Sequence, residues 1–280
     1  MEERLIDLYN NFIDLYWAEI QKTDRNLIIQ EKLWTILNEI YFQYSDQKDR
    51  TIFALSLYGS QNYNMDNENS DVDCQCFFFP TEEEIIFNKT FQSTTIHTTY
   101  GECVLKDIRQ MFSELQKSSP NILEVIGTQY CIINRDYQRL FANMAAQIDT
   151  IAHLNEYKLL KGYEGLYHRY TKENLKETKN TKFYANALRI MEVIDTIITI
   201  PEWNYIMLLE PSDSDYYKWV KYGDFDKVFR EDFYINRCIQ TEQLLKAYFN
   251  NHMALIDFDI KSLINKYQKD IMKKYLKLTF

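Results

Sequence analysis

Leu57-Tyr58-Gly59-Ser60, then after residues 61–70 Asp71-Val72-Asp73-Cys74, is the stretch on which the fold turns. Ahead of it, Thr51-Ile52-Phe53-Ala54-Leu55-Ser56 is continuous enough in apolar character for a buried strand. Behind it, Cys76-Phe77-Phe78-Phe79 ends at Pro80 and reads as a second strand. Gly59-Ser60-Gln61-Asn62-Tyr63 between them reads as a tight turn opening a short helix. Strand side chains alternate, so Asp71 and Asp73 share one face while Val72 and Cys74 point into the opposite layer. Two carboxylates on one face repel each other unless a cation sits between them. Oxygen-only ligands of this kind suit Mg²⁺, or Mn²⁺, bridging carboxylates to phosphates. Glycine lets a backbone approach a phosphate closely, a helix start presents free N–H groups, and the Ser60 hydroxyl adds a contact. A lone Gly-Ser is a common surface turn, and a lone Asp-x-Asp a common solvated strand start. Together, each at the correct end of its strand, they point to a phosphate and metal site.

A hydrophobic residue, Gly-Ser, a ten-residue connection and Asp-hydrophobic-Asp-hydrophobic resembles the signature of the DNA polymerase beta-like nucleotidyltransferase superfamily. The later motifs are similar to its bacterial and phage branch. The resemblance implies a small mixed sheet with helices packed on it. It implies two-metal transfer of a nucleoside monophosphate from a nucleoside triphosphate (NTP), ATP being the expected one, with pyrophosphate leaving. It implies a third carboxylate on a neighbouring strand, a place held here by Glu102 instead of the usual Asp. Asp107, Ser119-Pro120-Asn121 and Leu123-Glu124 then match a helix-opening aspartate, an Asn-Pro-Asn-like turn and a Leu-Glu pair, with Ser119 departing from the first Asn. Asp107 itself reads as a helix cap.

Lys182, Asn186 and Arg189, spaced by four and three, share one helix face. On spacing alone they are an ordinary solvated face. The same branch carries Lys, a polar residue such as His, and Arg at this spacing. The resemblance therefore implies cations that neutralise the β and γ phosphates and stabilise departing pyrophosphate. The expected catalytic and metal-binding residues are Asp71, Asp73 and Glu102. The expected nucleotide-binding residues are Gly59, Ser60, Lys182, Asn186 and Arg189. The acceptor is left open between an RNA 3′ end, a protein hydroxyl and a small molecule. The competing expectation is a regulatory or antitoxin-like protein of the same fold that binds nucleotide with little or no turnover. Intact Asp71 and Asp73 favour the enzyme, because a pure binder has no need of two adjacent metal ligands.

The chain has 280 residues, enough for one large or two modest domains. Its net charge of −9 argues against long duplex DNA as a partner, since affinity there comes from many phosphate contacts. Five cysteines, at 74, 76, 103, 131 and 238, include no second pair at metal-ligand spacing and read as reduced thiols of a cytoplasmic protein. Met1-Glu2-Glu3-Arg4 lacks a signal-peptide pattern, and no apolar run approaches the roughly twenty residues of a membrane span. The histidines show no paired spacing for metal. Ser60 has no evident His-Asp partner, so hydrolase chemistry lacks support.

The expected class is α+β: a small mixed nucleotidyltransferase sheet flanked by helices, followed by a C-terminal helical bundle. The expected domains are 1–46, N-terminal helices; 47–135, catalytic; and 136–280, helical. Residues 3–22 carry Leu5, Leu8, Tyr9, Phe12, Leu15, Tyr16 and Ile20, the stripe of an amphipathic helix. A second helix is expected from Asp24 to about residue 44, with Ser45-Asp46-Gln47-Lys48-Asp49 as a polar connection. Thr81-Glu82-Glu83-Glu84 resembles a capped helix start. Residues 91–99 and 102–106 read as strands joined at Tyr100-Gly101. Beyond Asp136 only helical periodicity is present, with Tyr234–Phe249 and Ile260–Leu276 expected as an antiparallel closing pair.

Overall fold

In the computed structural model, which describes residues 2–16, 22–45 and 50–279, six strands form one mixed sheet. They are β1 (Phe12–Asp14), β2 (Ile52–Leu57), β3 (Cys74–Phe78), β4 (Thr94–His97), β5 (Glu102–Asp107) and β6 (Cys131–Asn134), in the order β1-β6-β2-β3-β5-β4. Every neighbouring pair is antiparallel except β3–β5, which is parallel. The central strands are apolar on both faces because both faces are covered. Leu55, Leu57, Cys74, Cys76, Phe78 and Ile132 point into one layer, against Leu33, Ile36, Leu37 and Ile40. Phe53, Phe77, Phe79, Cys131 and Ile133 point into the other, which runs on without a break into the C-terminal helices. The fold is α+β, as expected from the sequence.

The helices of the first half are α1 (Glu2–Asn11), α2 (Asp24–Ile40), α3 (Glu82–Ile86), α4 (Ile108–Leu115) and α5 (Pro120–Gly127). Thr23 caps α2, and Thr81 with Glu84 forms the reciprocal box that starts α3. In the second half come α6 (Gln138–Ala145), α7 (Ile148–Ala152), α8 (Glu156–Thr171), α9 (Leu175–Thr178) and α10 (Thr181–Thr199). They are followed by α11 (Tyr205–Leu209), α12 (Ser214–Tyr222), α13 (Phe225–Val228), α14 (Glu231–Asn251) and α15 (Phe258–Thr279). Helix α10 is the axis of this half, flanked by α8, α12 and α14. Among the described residues no helix is long and apolar enough to cross a membrane.

Several expectations are corrected. The first helix ends at Asn11, and Phe12–Asp14 pairs with β6 instead of continuing it. A free strand edge is worth more there than further helical turns, because pairing satisfies the backbone and buries Phe12. Ile20 and the connection over 46–49 lie outside the described residues. Residues 59–64 form successive turns, not a helix. The amide of Asn62 donates to the Gly59 carbonyl, and that of Met65 to the Ser60 carbonyl. Helices α14 and α15 do not close as a pair: α14 lies on α10, whereas α15 lies on α4 and α6.

Candidate active site

The register of three strands brings the acidic residues together. Leu57 pairs with Cys74, and the Tyr58 amide donates to the Asp73 carbonyl at 3.0 Å, so the Gly59 turn starts beside Asp73. Cys74 in turn pairs with Cys103 in the parallel β3–β5 ladder, which sets Asp73 beside Glu102. Residues opposite each other in a sheet share a face. Accordingly the Glu102 amide donates to Asp73 Oδ1 at 3.3 Å. Val72 and Cys74 are fully buried in the layer beneath, which leaves Asp71 and Asp73 to face outward.

Asp71, Asp73, Glu102 and Lys182 line one cleft of about 630 Å³, with Lys32, His97, Tyr100 and Gly101 on its rim. That volume lies within the usual range for a small-molecule site. Burial pushes the Asp73 carboxyl above the ordinary aspartate range, against the Glu102 amide, which favours the charged form. Asp71 and Glu102 add to the rise through like charge, and Lys182 opposes it. Facing carboxylates answered by few cations are the donor set that a hard divalent cation neutralises. Among the described residues no three acidic, histidine or cysteine side chains are gathered closely enough to hold a metal ion together. Glu102 is half in solvent, 3.6 Å from His97 Nδ1. The donor chemistry of Asp71 and Asp73 suits a divalent cation, and Glu102 stands on the next strand, turned toward His97.

The turn at Gly59 needs glycine for its backbone conformation. Gly59 has φ +92°, and a Cβ there would lie 3.8 Å from Asp73 Oδ2. Its amide, however, donates to the buried carboxylate of Glu124, which also accepts from Tyr63 Oη and from Asn62 Nδ2. Arg189 belongs to this second cluster and not to the cleft. It is buried, 3.2 Å over the centroid of the Tyr63 ring, and Nη2 donates to the Leu208 carbonyl at 3.4 Å. Burial pushes the Glu124 carboxyl up, although Arg189 and its hydrogen-bond donors pull it down. From the other side Arg25 grips Asp66, the Gln61 carbonyl and Tyr130 Oη. Lys221 and Tyr222 of α12 both donate to the Met65 carbonyl. Charged groups from α2, α5, α10 and α12 thus fix the connection between Gly59 and Asp73.

Of the expected nucleotide ligands, then, Lys182 reaches the carboxylate cleft and Arg189 does not. Ser60 and Asn186 are half-buried and do not line it. Asp107 caps α4 and pairs with Arg109, as the cap reading expects. Lys32 on α2 is a cleft cation that sequence reasoning missed, because an amphipathic stripe says nothing about its polar face.

The sequence marks Gly101 only as a turn residue. A Cβ there would stand 2.5 Å from the Val72 carbonyl oxygen, and the Val72 amide donates to Tyr100 O at 2.8 Å. Gly101→Ala is expected to force apart the two backbones that carry Asp71, Asp73 and Glu102. Such overpacking costs about 1–3 kcal/mol, readable as a lower urea midpoint. An unchanged midpoint would show that the turn yields freely.

Neither a protein-family model nor any curated protein matches this chain.

Proposed function

We propose that the protein is a nucleotidyltransferase that moves a nucleoside monophosphate from an NTP, ATP being the expected one, to a hydroxyl. One observation carries the reading: strand register sets Asp73 beside Glu102 in a cleft that also holds Asp71 and Lys182. A divalent cation such as Mg²⁺, when bound, would supply charge neutralisation for the triphosphate. Asp71 and Asp73 would hold it, with Glu102 completing the set. Lys182 would bind the β and γ phosphates, where negative charge grows as pyrophosphate departs. The acceptor oxygen forms a bond to the α-phosphorus. The bond from that phosphorus to the β-bridging oxygen breaks, and its electron pair leaves on pyrophosphate. The hydroxyl proton passes to a Glu102 carboxylate oxygen and on to water.

A second reading is a nucleotide-binding regulator with little or no turnover. It is favoured by the Gly59 amide and Arg189 being taken up by the Glu124 cluster, which leaves Lys182 and Lys32 as the cleft's cations. Incubation with Mg²⁺, α-labelled NTPs, total RNA and lysate protein separates the two. Transfer of label, lost in Asp73→Asn, supports the enzyme. Tight NTP binding without transfer supports the regulator.

Lys182→Ala is expected to lower NTP use about tenfold, the low end for a charge-assisted bond, because Lys182 is exposed. Mg²⁺ affinity, measured by calorimetry, is expected to persist. Equal NTP use by both proteins would remove Lys182 from the site.

A further inference from the structure

Two smaller cavities continue the carboxylate cleft along α2. The first, of about 300 Å³, shares Lys32 and Glu68 with the cleft. The second, of about 440 Å³, reaches Asn64, Gln129 and Glu210 and lies across the Arg25 side chain from the first, where Arg25 Nη2 donates to the Gln61 carbonyl at 2.7 Å. The α2 wall runs from Thr23 to Lys32, about 13 Å at 1.5 Å per residue. An extended polypeptide covers that length with about four residues. A nucleotide fits within the cleft alone, so the extension has room for something else.

We infer that this extension seats the acceptor, and that the acceptor is a hydroxyl side chain within an extended polypeptide segment. The inference rests on the nucleotidyl-transfer reading above. Three features choose polypeptide over RNA. Arg25 and Asp66 are paired with each other, which leaves Glu68 and Glu210 against Lys32, so the groove does not attract a polyphosphate backbone. Single-stranded nucleic acid is held by bases stacked on aromatic rings. The aromatic side chain that lines the extension, Tyr63, has Arg189 over its ring and Glu124 on its hydroxyl. The Gln129 amide can both donate and accept, which matches a peptide bond, and Ile28, 49% exposed, offers apolar contact. The acidic rim favours segments with Lys or Arg beside the hydroxyl residue.

The test is binding without nucleotide, so that it does not depend on turnover. Fluorescence anisotropy compares a pool of short peptides, with Ser, Thr or Tyr among Lys and Arg, against a single-stranded RNA of similar length. Wild type is measured beside Ile28→Lys and Glu210→Lys, both at exposed positions outside the catalytic cleft. Peptides are expected to bind, and each substitution is expected to weaken them about tenfold through lost contact and added repulsion. RNA that binds, and binds more tightly in the two variants, would overturn the inference. So would peptide binding that neither variant changes, or no binding of either probe. If peptides bind through the groove yet take no label from α-labelled NTP, the transfer reading fails while the groove assignment stands.

Discussion

Asp73→Asn is expected to abolish Mg²⁺-dependent NTP turnover, by at least about a hundredfold, with the fold intact. A loss of that size is typical of a group whose charge acts in the transition state. Asp73 is the centre of the site, beside Glu102 in register, opposite the Gly59 turn and sharing a cleft with Asp71 and Lys182. Asparagine keeps the shape and the acceptor oxygen for the Glu102 amide but removes the charge. Pyrophosphate release measures the effect, and turnover within threefold of wild type would sink the metal assignment.

The same residue fixes a pH dependence. The folded-state pKa of Asp73 is raised, chiefly by burial. Its contribution to stability is therefore present in full below the ordinary aspartate range and lost as pH rises through the raised value. In Asp73→Asn that contribution no longer changes with pH, so the metal-free variant is expected to melt at or above the wild-type temperature at neutral pH. A cation bound at Asp73 favours the ionised carboxylate, so Mg²⁺ is expected to raise the melting temperature of the wild type more than that of Asp73→Asn. A lower melting temperature for the variant at neutral pH would contradict the sign.

Much of this site was legible in the chain. The unbroken apolar runs identified β2 and β3, because a strand covered on both faces has no polar side to show. The Gly-Ser and Asp-x-Asp pair gave the place where they meet. Glu102 was reachable once a neighbouring strand was supposed, and its adjacency to Asp73 is a matter of register that no single stretch records. Strands β1 and β6 were missed for a different reason. Phe12 fits the helical spacing of Leu5, Leu8 and Tyr9, and Cys131–Asn134 is too short to display a period. Pairing between distant segments decided both.

Arg189 shows the limit of helix-face reasoning. Seven residues on from Lys182 it lies about 10 Å along the same helix. Lys182 sits in the exposed first turn, whereas Arg189 has already entered the layer beneath the Gly59 turn. Spacing gives the face of a helix but not the depth at which it crosses a core. The Leu123-Glu124 pair carried the missing signal, since a glutamate buried on a mostly apolar helix needs partners, and Arg189, Tyr63 and Asn62 are those partners.

From that pairing follows the largest expected effect on stability. Glu124→Ala deprives the buried charge of Arg189 of the Glu124 carboxylate, and strips acceptors from the Gly59 amide, Tyr63 and Asn62. Glu124 and Arg189 attract each other through space, and each donor left without its acceptor in a buried site costs about 1–3 kcal/mol. Arg189→Met, which fills the space without the charge, is expected to destabilise as well, by leaving the Glu124 carboxylate with only neutral donors in a medium that already raises its pKa. Because part of each variant's cost comes from the partner left behind, Glu124→Ala with Arg189→Met is expected to fall short of the summed single losses by more than about 1 kcal/mol. Urea unfolding of the single and double variants measures this coupling. Simple additivity would mean that Glu124 and Arg189 act separately, and that the helical half does not hold the Gly59 turn through them. Coupling of the expected size would make α10 part of the cleft's geometry without touching its contents: Lys182 at one end facing the carboxylates, and Arg189 two turns on supporting the turn that faces them.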